Sequence, residues 1–259
     1  MMTNTQKFRS DIAWSTETTI TVHGLDLCQD ILGKVSLSDM AYLQMKGRLP
    51  TPNESKMFEA ISVSLVEHGL TPSAIAARLT LAGAPEAMQA AVAAGLNGLG
   101  SVFVGSMETA AKILQTNLAR DAGAVDLTAL ATQVVSDLKQ KGRNVPGIGH
   151  HIHKPIDPRT TRLFELAEVY GFDGQYVAFM KALSDEASRV SGKSLPINAT
   201  GAIAAIASEL EIPWDIVRGI GVFARAIGLV GHVLEELRNP MARKIKHMVE
   251  TEALSHFKR

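Results

Sequence analysis

Gly142-Arg-Asn-Val-Pro-Gly-Ile-Gly-His-His-Ile-His-Lys-Pro-Ile-Asp-Pro-Arg159 places several chemically capable side chains on an unusually permissive backbone. Pro146, Gly147 and Gly149 end the helical pattern before it, and Asp157-Pro158 has the form of an N-cap followed by a first helical residue. The stretch therefore reads as a loop pinned between two helices, able to bring backbone N–H groups and imidazoles close to a ligand. Two plainer readings stand beside this one. Three histidines, His150, His151 and His153, could hold a metal, but such sites draw ligands from separated elements and the one cysteine, Cys28, is remote, so no metal is expected. A solvated loop with incidental histidines is the other.

Outward from the loop the chain reads as helix almost throughout. Thr18 to Val22 alternates like a strand before a turn at His23-Gly24. A helix from Ser36 to Lys46 stops at Gly47, and Thr51-Pro52-Asn53-Glu54 is a capping box opening a helix to about Glu67. Thr71-Pro72 repeats the start signal and Pro85 opens another segment. Ala87 to Met107, rich in Ala and Gly, reads as a buried helix with closely packed backbone from Gly95 to Gly105. Its glycines lack the preceding strand that a dinucleotide fingerprint requires. Further helices are expected over Met107–Leu118, 127–141 after an N-cap at Asp126, Pro158–Tyr170, Gln175–Val190, the apolar Pro196–Leu210 and a last long system from Pro213 to Asn239-Pro240. In the apolar segment only Asn198 and Thr200 are polar in the first turn, so both should be partnered or face a site.

Composition narrows the function classes. The 259 residues are 46% hydrophobic, enough to bury a substantial core. Lys plus Arg and Asp plus Glu are both 26, so no global field draws the chain to nucleic acid or an acidic membrane. A polar Met1–Ser10 and a single cysteine lead to the expectation of a cytoplasmic protein with no membrane span.

Five stretches together resemble the citrate synthase superfamily, and within it the short citryl-CoA lyases and the lyase module of ATP-citrate lyase. They are Glu67-His68-Gly69, Gly100 to Gly105, Val145 to Arg159, Pro196 to Gly201, and Phe223 to Gly228 followed by Gly231-His232. The resemblance spans roughly Ile20 to Arg243. It implies an all-α fold with a large domain, 1–104 and 196–259, and a smaller mobile helical domain, 105–195. It also implies a homodimer or higher even oligomer, coenzyme A as thioester substrate, and oxaloacetate or citrate as the small-molecule partner. Matched residue by residue, His150 handles the substrate oxygen, Arg159 and Arg225 clamp its carboxylates, and His68 assists them. Val145, Pro146, Gly147, Ile148 and Gly149 resemble the loop that holds the CoA adenine. Arg238 or Arg243 stands for an arginine contributed across the subunit boundary, with Arg238 preferred.

Two departures bear on the reaction. Phe103 stands where synthases carry a second histidine, as in the ATP-citrate lyase module, although it could equally be core packing. Thr200 in Asn198-Ala-Thr-Gly201 stands where the family carries the catalytic carboxylate, and threonine is no general base near neutral pH. Cleavage tolerates that loss better than condensation, because an acetyl enolate needs only a proton, for instance from water held by Thr200. The expectation is a citryl-CoA lyase-like enzyme. The alternatives are a protein of this fold that binds CoA esters or dicarboxylates without turnover, and a related enzyme of citrate or methylcitrate synthase type using another acyl-CoA. Thr200 could instead cap its helix, His232 reads as a structural histidine bonded within its helix, and Asp157 and Glu235 are the conceivable substitutes for the missing carboxylate.

Overall fold

The computed structural model describes residues 8–102, 104–118, 125–149 and 157–257. His150 and Phe103 lie outside the described residues, as do His151 and His153. The chain divides into two compact units, Met1–Glu59 and Ala60–Arg259.

The first unit contains more strand than expected. Ala13–Ser15 (β1), Ile20–Val22 (β2) and Leu25–Asp26 (β3) form an antiparallel sheet in the order β1-β2-β3. The outer two are only three and two residues long, too short to show alternation in the sequence. His23 and Gly24, both at positive φ (46° and 84°), make the two-residue turn that pairs Val22 with Leu25. After one π-helical turn, Leu27–Ile31, comes α1 (Leu37–Lys46), capped by Ser36 and ended by Gly47 in the left-handed region. Val22, Ile31 and Leu43 form the core here. The expected capping box opens α2 (Pro52–Val66): the Thr51 N–H donates to Glu54 at 2.7 Å and the Glu54 N–H donates to Thr51 Oγ1 at 3.4 Å.

The second unit is helical: α3 (Pro72–Gly83), α4 (Met88–Asn97), α5 (Gly105–Asn117), α6 (Leu127–Gln140), α7 (Pro158–Tyr170), α8 (Gln175–Ser191), α9 (Ala199–Glu209), α10 (Val217–Arg238) and α11 (Ala242–Ala253). Thr71, Asp126 and Asp157 cap their helices as their sequences predict. Three boundaries differ. Ala87–Met107 is not one helix but α4, a turn and the start of α5. In the last turn of α4 before the break stands Gly95, where a Cβ would sit 2.7 Å from Leu229 and 3.0 Å from the Ser73 carbonyl, so α3, α4 and α10 approach closely there. Pro196–Ile197 is extended, and α9 begins at Ala199 because the Asn198 side chain accepts from the N–H groups of Thr200 and Gly201. Thr200 is therefore not the cap. α10 begins at Val217, after a turn from Pro213.

α9 is the central element, buried along nearly its whole length and packed by α5, α7 and α8. Its small residues permit that density. α10 is apolar and long enough to cross a bilayer, but its face from Val217 to Glu236 is packed into the fold against α3, α4 and α5.

Candidate active site

The loop predicted to be functional is fastened backbone to backbone onto the start of α9. Gly149 N–H donates to the Pro196 carbonyl at 2.7 Å, and Asn198 N–H donates to the Gly147 carbonyl at 3.0 Å. Asn198 Nδ2 donates to the Gly149 carbonyl at 2.7 Å. A Cβ on Gly147, at φ 81°, would stand 2.6 Å from the Gly201 Cα, and one on Gly201 would run into the Gly147 carbonyl. Two glycines are required because two backbones touch.

This junction is one wall of a cavity of about 640 Å³. All five residues from Val145 to Gly149 line it, and so do His68, Arg159, Thr200 and Arg225. The fold thus gathers residues from five separate stretches around one space. Arg238, the last residue of α10, is exposed and absent from this lining, as is Arg243. A second cavity of about 430 Å³, beside α7 and α8, has four carboxylates in its wall, Glu165, Glu168, Asp173 and Asp185, and one cation, Lys181. An anionic substrate is better matched by the first.

Arg225 is the electrostatic centre of that cavity. It is 8% exposed, and its Nε and Nη1 have no hydrogen-bond partner among the described residues. Burial pushes its guanidinium below the ordinary value; Glu67 holds it up, while the charge of Arg159 pushes the same way as burial. Arginine stays charged under such conditions, so the buried cation is poised for an anion.

Arg159 is already engaged on one side. Its Nε and Nη2 donate to Asp157 at 3.1 and 2.9 Å, a two-pronged pair. Asp157 is fully buried and also accepts from the N–H groups of Arg159 and, at 3.1 Å, of Ala199. Burial raises its pKa, but the Arg159 pair and these backbone donors outweigh it and hold the carboxyl below the usual range. Asp157 locks α7 to α9 and is not a spare base. Glu235 is paired with Arg78 and does not line the cavity, so it does not replace the carboxylate either.

At Thr200 the structure adds one residue that the sequence did not single out, Ser106. Ser106 Oγ donates to Thr200 Oγ1 at 3.1 Å, and Thr200 Oγ1 donates onward to Asn198 Oδ1 at 2.7 Å. Ser106 lines the same cavity. Its position one residue into α5, after Gly105, was the available signal.

His232 is not bonded within its helix. Its Nε2 lies 3.1 Å from Glu67 Oε1, and its Nδ1 accepts from Arg78 Nε and Nη2 at 3.2 and 2.9 Å. The fully buried Arg78 also donates to Glu235 and, at 3.1 Å, to Glu236.

Residues 3–247 match the family model for the citrate synthase C-terminal domain. The chain belongs to the citrate synthase family. Citryl-CoA lyase from Hydrogenobacter thermophilus superposes with a TM-score of 0.81 at 35% identity, over 90% of this chain and 88% of that one. A point mutant of ATP citrate lyase from Methanosaeta concilii, in complex with (3S)-citryl-CoA, shares the fold with a TM-score of 0.75 at 22% identity, over 90% of this chain and 39% of that one. A probable ATP-citrate synthase of Dictyostelium discoideum is 27% identical over 213 residues, 76% of this chain and 33% of that protein. This citrate synthase family chain therefore spans about a third of that relative's length. The expected all-helical, citrate-synthase-like fold is the one found, with the small N-terminal sheet as its addition.

Proposed function

We propose that the protein cleaves a citryl-CoA-type thioester to acetyl-CoA and oxaloacetate. The observation that carries this reading is Arg225, a largely buried cation in the lining of the cavity walled by the glycine loop, with Nε and Nη1 unpartnered among the described residues. A substrate carboxylate there would gain charge-assisted bonds and relieve a buried cation. Arg159 and His68 would hold the rest of the oxaloacetate half, and the backbone from Val145 to Gly149 would receive the CoA adenine. The similarity to a citryl-CoA lyase over nearly the whole of both chains supports the choice of reaction.

In this scheme His150 takes the proton of the tertiary hydroxyl, and the freed electron pair forms the ketone of oxaloacetate. The carbon–carbon bond breaks, and its electron pair passes to the acetyl group as the enolate of acetyl-CoA. The enolate then takes up a proton. Thr200 has its own proton committed to Asn198, but its oxygen keeps one lone pair that can hold a water as the proton source. General acid–base assistance is worth about 3 to 5 kcal/mol, and condensation, which must deprotonate a methyl group, would forfeit it. Cleavage is therefore the favoured direction. The same proposal includes closure of a small domain over 105–195, an even oligomer in which Arg238 completes a neighbouring site, and a cytoplasmic location.

A second reading, binding of CoA esters or dicarboxylates without turnover, is favoured by that same committed hydroxyl. Oxaloacetate release from citryl-CoA, followed with a reporting dehydrogenase, separates the two for wild type and Thr200→Asp. Release by the wild type is expected, at a rate that Thr200→Asp changes by less than about tenfold, while Thr200→Asp exchanges the methyl protons of acetyl-CoA about a hundredfold faster. No release by the wild type, with release by Thr200→Asp, would establish the binding protein.

A further inference from the structure

The wall of the cavity that carries His68 is braced from behind by a chain of four polar groups. Glu67 Oε1 accepts from the N–H groups of His68 and Gly69 at 2.8 and 2.7 Å, shaping a turn in which Gly69 has φ 74°. The Glu67 carboxylate is met by His232 Nε2, and His232 Nδ1 is met by Arg78. A guanidinium can only donate, so Nδ1 must be the acceptor and the imidazole proton must sit on Nε2, directed at Glu67. Arg78 is fixed in turn by Glu236, whose other oxygen accepts from the N–H groups of Met241 and Ala242, both at 2.9 Å, at the start of α11. Arg225, Gly228, His232 and Glu236 recur along the buried face of α10. A side chain at Gly228 would strike the Val66 carbonyl and come within 3.0 Å of Glu67. The helix that delivers Arg225 to the cavity therefore also presses the end of α2 into register.

We infer that Glu67, held by His232 and Arg78, is a positioning residue for the anion-binding end of the cavity, fixing the His68 turn relative to Arg225. The inference rests on the functional reading above only in the identity of the anion. Its two possible effects have opposite signs. As a bare negative charge near Arg225, Glu67 would weaken anion binding, and its neutralisation would tighten it. As a brace, its loss would weaken binding.

Glu67→Gln tests this directly, because an amide that keeps its oxygen at Oε1 for the turn puts an NH2 in place of Oε2, 3.0 Å from His232 Nε2–H, whose tautomer Arg78 prevents from switching. Calorimetry with oxaloacetate is expected to show binding weakened about tenfold or more, with kcat for citryl-CoA within about threefold of wild type, the usual signature of a misplaced contact. His232→Leu is expected to do the same, and His232→Gln, which offers one acceptor and one donor, to recover most of the affinity. Nitrogen-15 spectra of the wild type should show His232 as the Nε2–H tautomer. Equal or tighter binding by Glu67→Gln, or an Nδ1–H tautomer at His232, would overturn the inference. If the wild type binds no oxaloacetate, the functional reading falls alone. The brace is then judged by the His68 ring and backbone resonances, which Glu67→Gln and His232→Leu must shift together and His232→Gln must not.

Discussion

At one end of the cavity and behind it the groups carry charge: Arg159 paired with Asp157, the Glu67 carboxylate and the Arg78 guanidinium on either side of a neutral His232, and Arg225, whose Nε and Nη1 have no partner among the described residues. At the other end, Ser106, Thr200 and Asn198 are joined through hydroxyl and amide groups that carry no formal charge. The difference is one of capacity. Fixed charges can seize a carboxylate and hold it, whereas a neutral chain ending on an amide oxygen can orient a neighbour but cannot keep a proton. Under the proposed reading, the site would keep its clamps for the carboxylates and lack a base where the acetyl group would sit.

The largest effect should follow from Arg225→Ala, and it should split function from stability. Removing a partner of a buried charge pair weakens binding by on the order of 10²- to 10³-fold, which oxaloacetate calorimetry or KM for citryl-CoA would read. Stability in the absence of ligand should hold or rise, because a desolvated guanidinium with unpartnered N–H groups is removed. A marked fall in the melting temperature without loss of binding would mean that Arg225 is a structural cation. Arg225→Lys should restore the charge but not the fork, and so remain at least about tenfold weaker.

Asp157→Asn probes the same end through its scaffold. Breaking a buried pair costs about 3 kcal/mol or more, and here an amide NH2 in place of Oδ2 leaves Arg159 Nη2 and the Ala199 N–H without their acceptor. Chemical denaturation at pH 7 should show that loss. Because the Asp157 carboxyl is held below its ordinary value, its contribution is complete above the unfolded value of about 4 and is lost as pH falls through the lower folded value. The gap between wild type and variant should therefore stay constant down to about pH 4 and narrow only below it. A gap that closed near neutrality would point to a different titrating group.

The contrast between the ends also explains what could be seen in the sequence. Thr51, Thr71, Asp126 and Asp157 announce their helices because a cap is a contact between residues two or three apart. The Gly147–Gly201 contact was foreshadowed by glycines alone, since a close backbone approach leaves no other choice of residue. Asn198 and Thr200 were legible as polar intruders in an apolar run. Arg225 was not distinguishable from a surface arginine by pattern and came from family resemblance. The brace behind His68 was hidden because Arg78 lies 154 residues from His232. Its trace was an arginine on the apolar stripe of Ala74, Ala77 and Leu81, a position where a cation must find partners. β1 and β3 carried no period because two or three residues cannot show one.

The smallest effect is expected at Ser106, and it decides whether the neutral end is chemically silent. The hydroxyl chain runs one way, from Ser106 to Thr200 to Asn198. Asn198 Oδ1 already accepts from the N–H groups of Thr200 and Gly201 at 3.0 and 3.2 Å, and an amide oxygen so placed takes up no proton. A proton entering at Ser106 has nowhere to go. Ser106→Ala should therefore leave citryl-CoA turnover within about threefold of wild type and reduce stability by about 1 kcal/mol, the usual worth of one hydrogen bond. A fall in kcat beyond about thirtyfold with KM unchanged would show that the hydroxyl acts in the chemical step. The two ends would then differ in the kind of work they do on the substrate, and Thr200 would count as a substitute for the lost carboxylate.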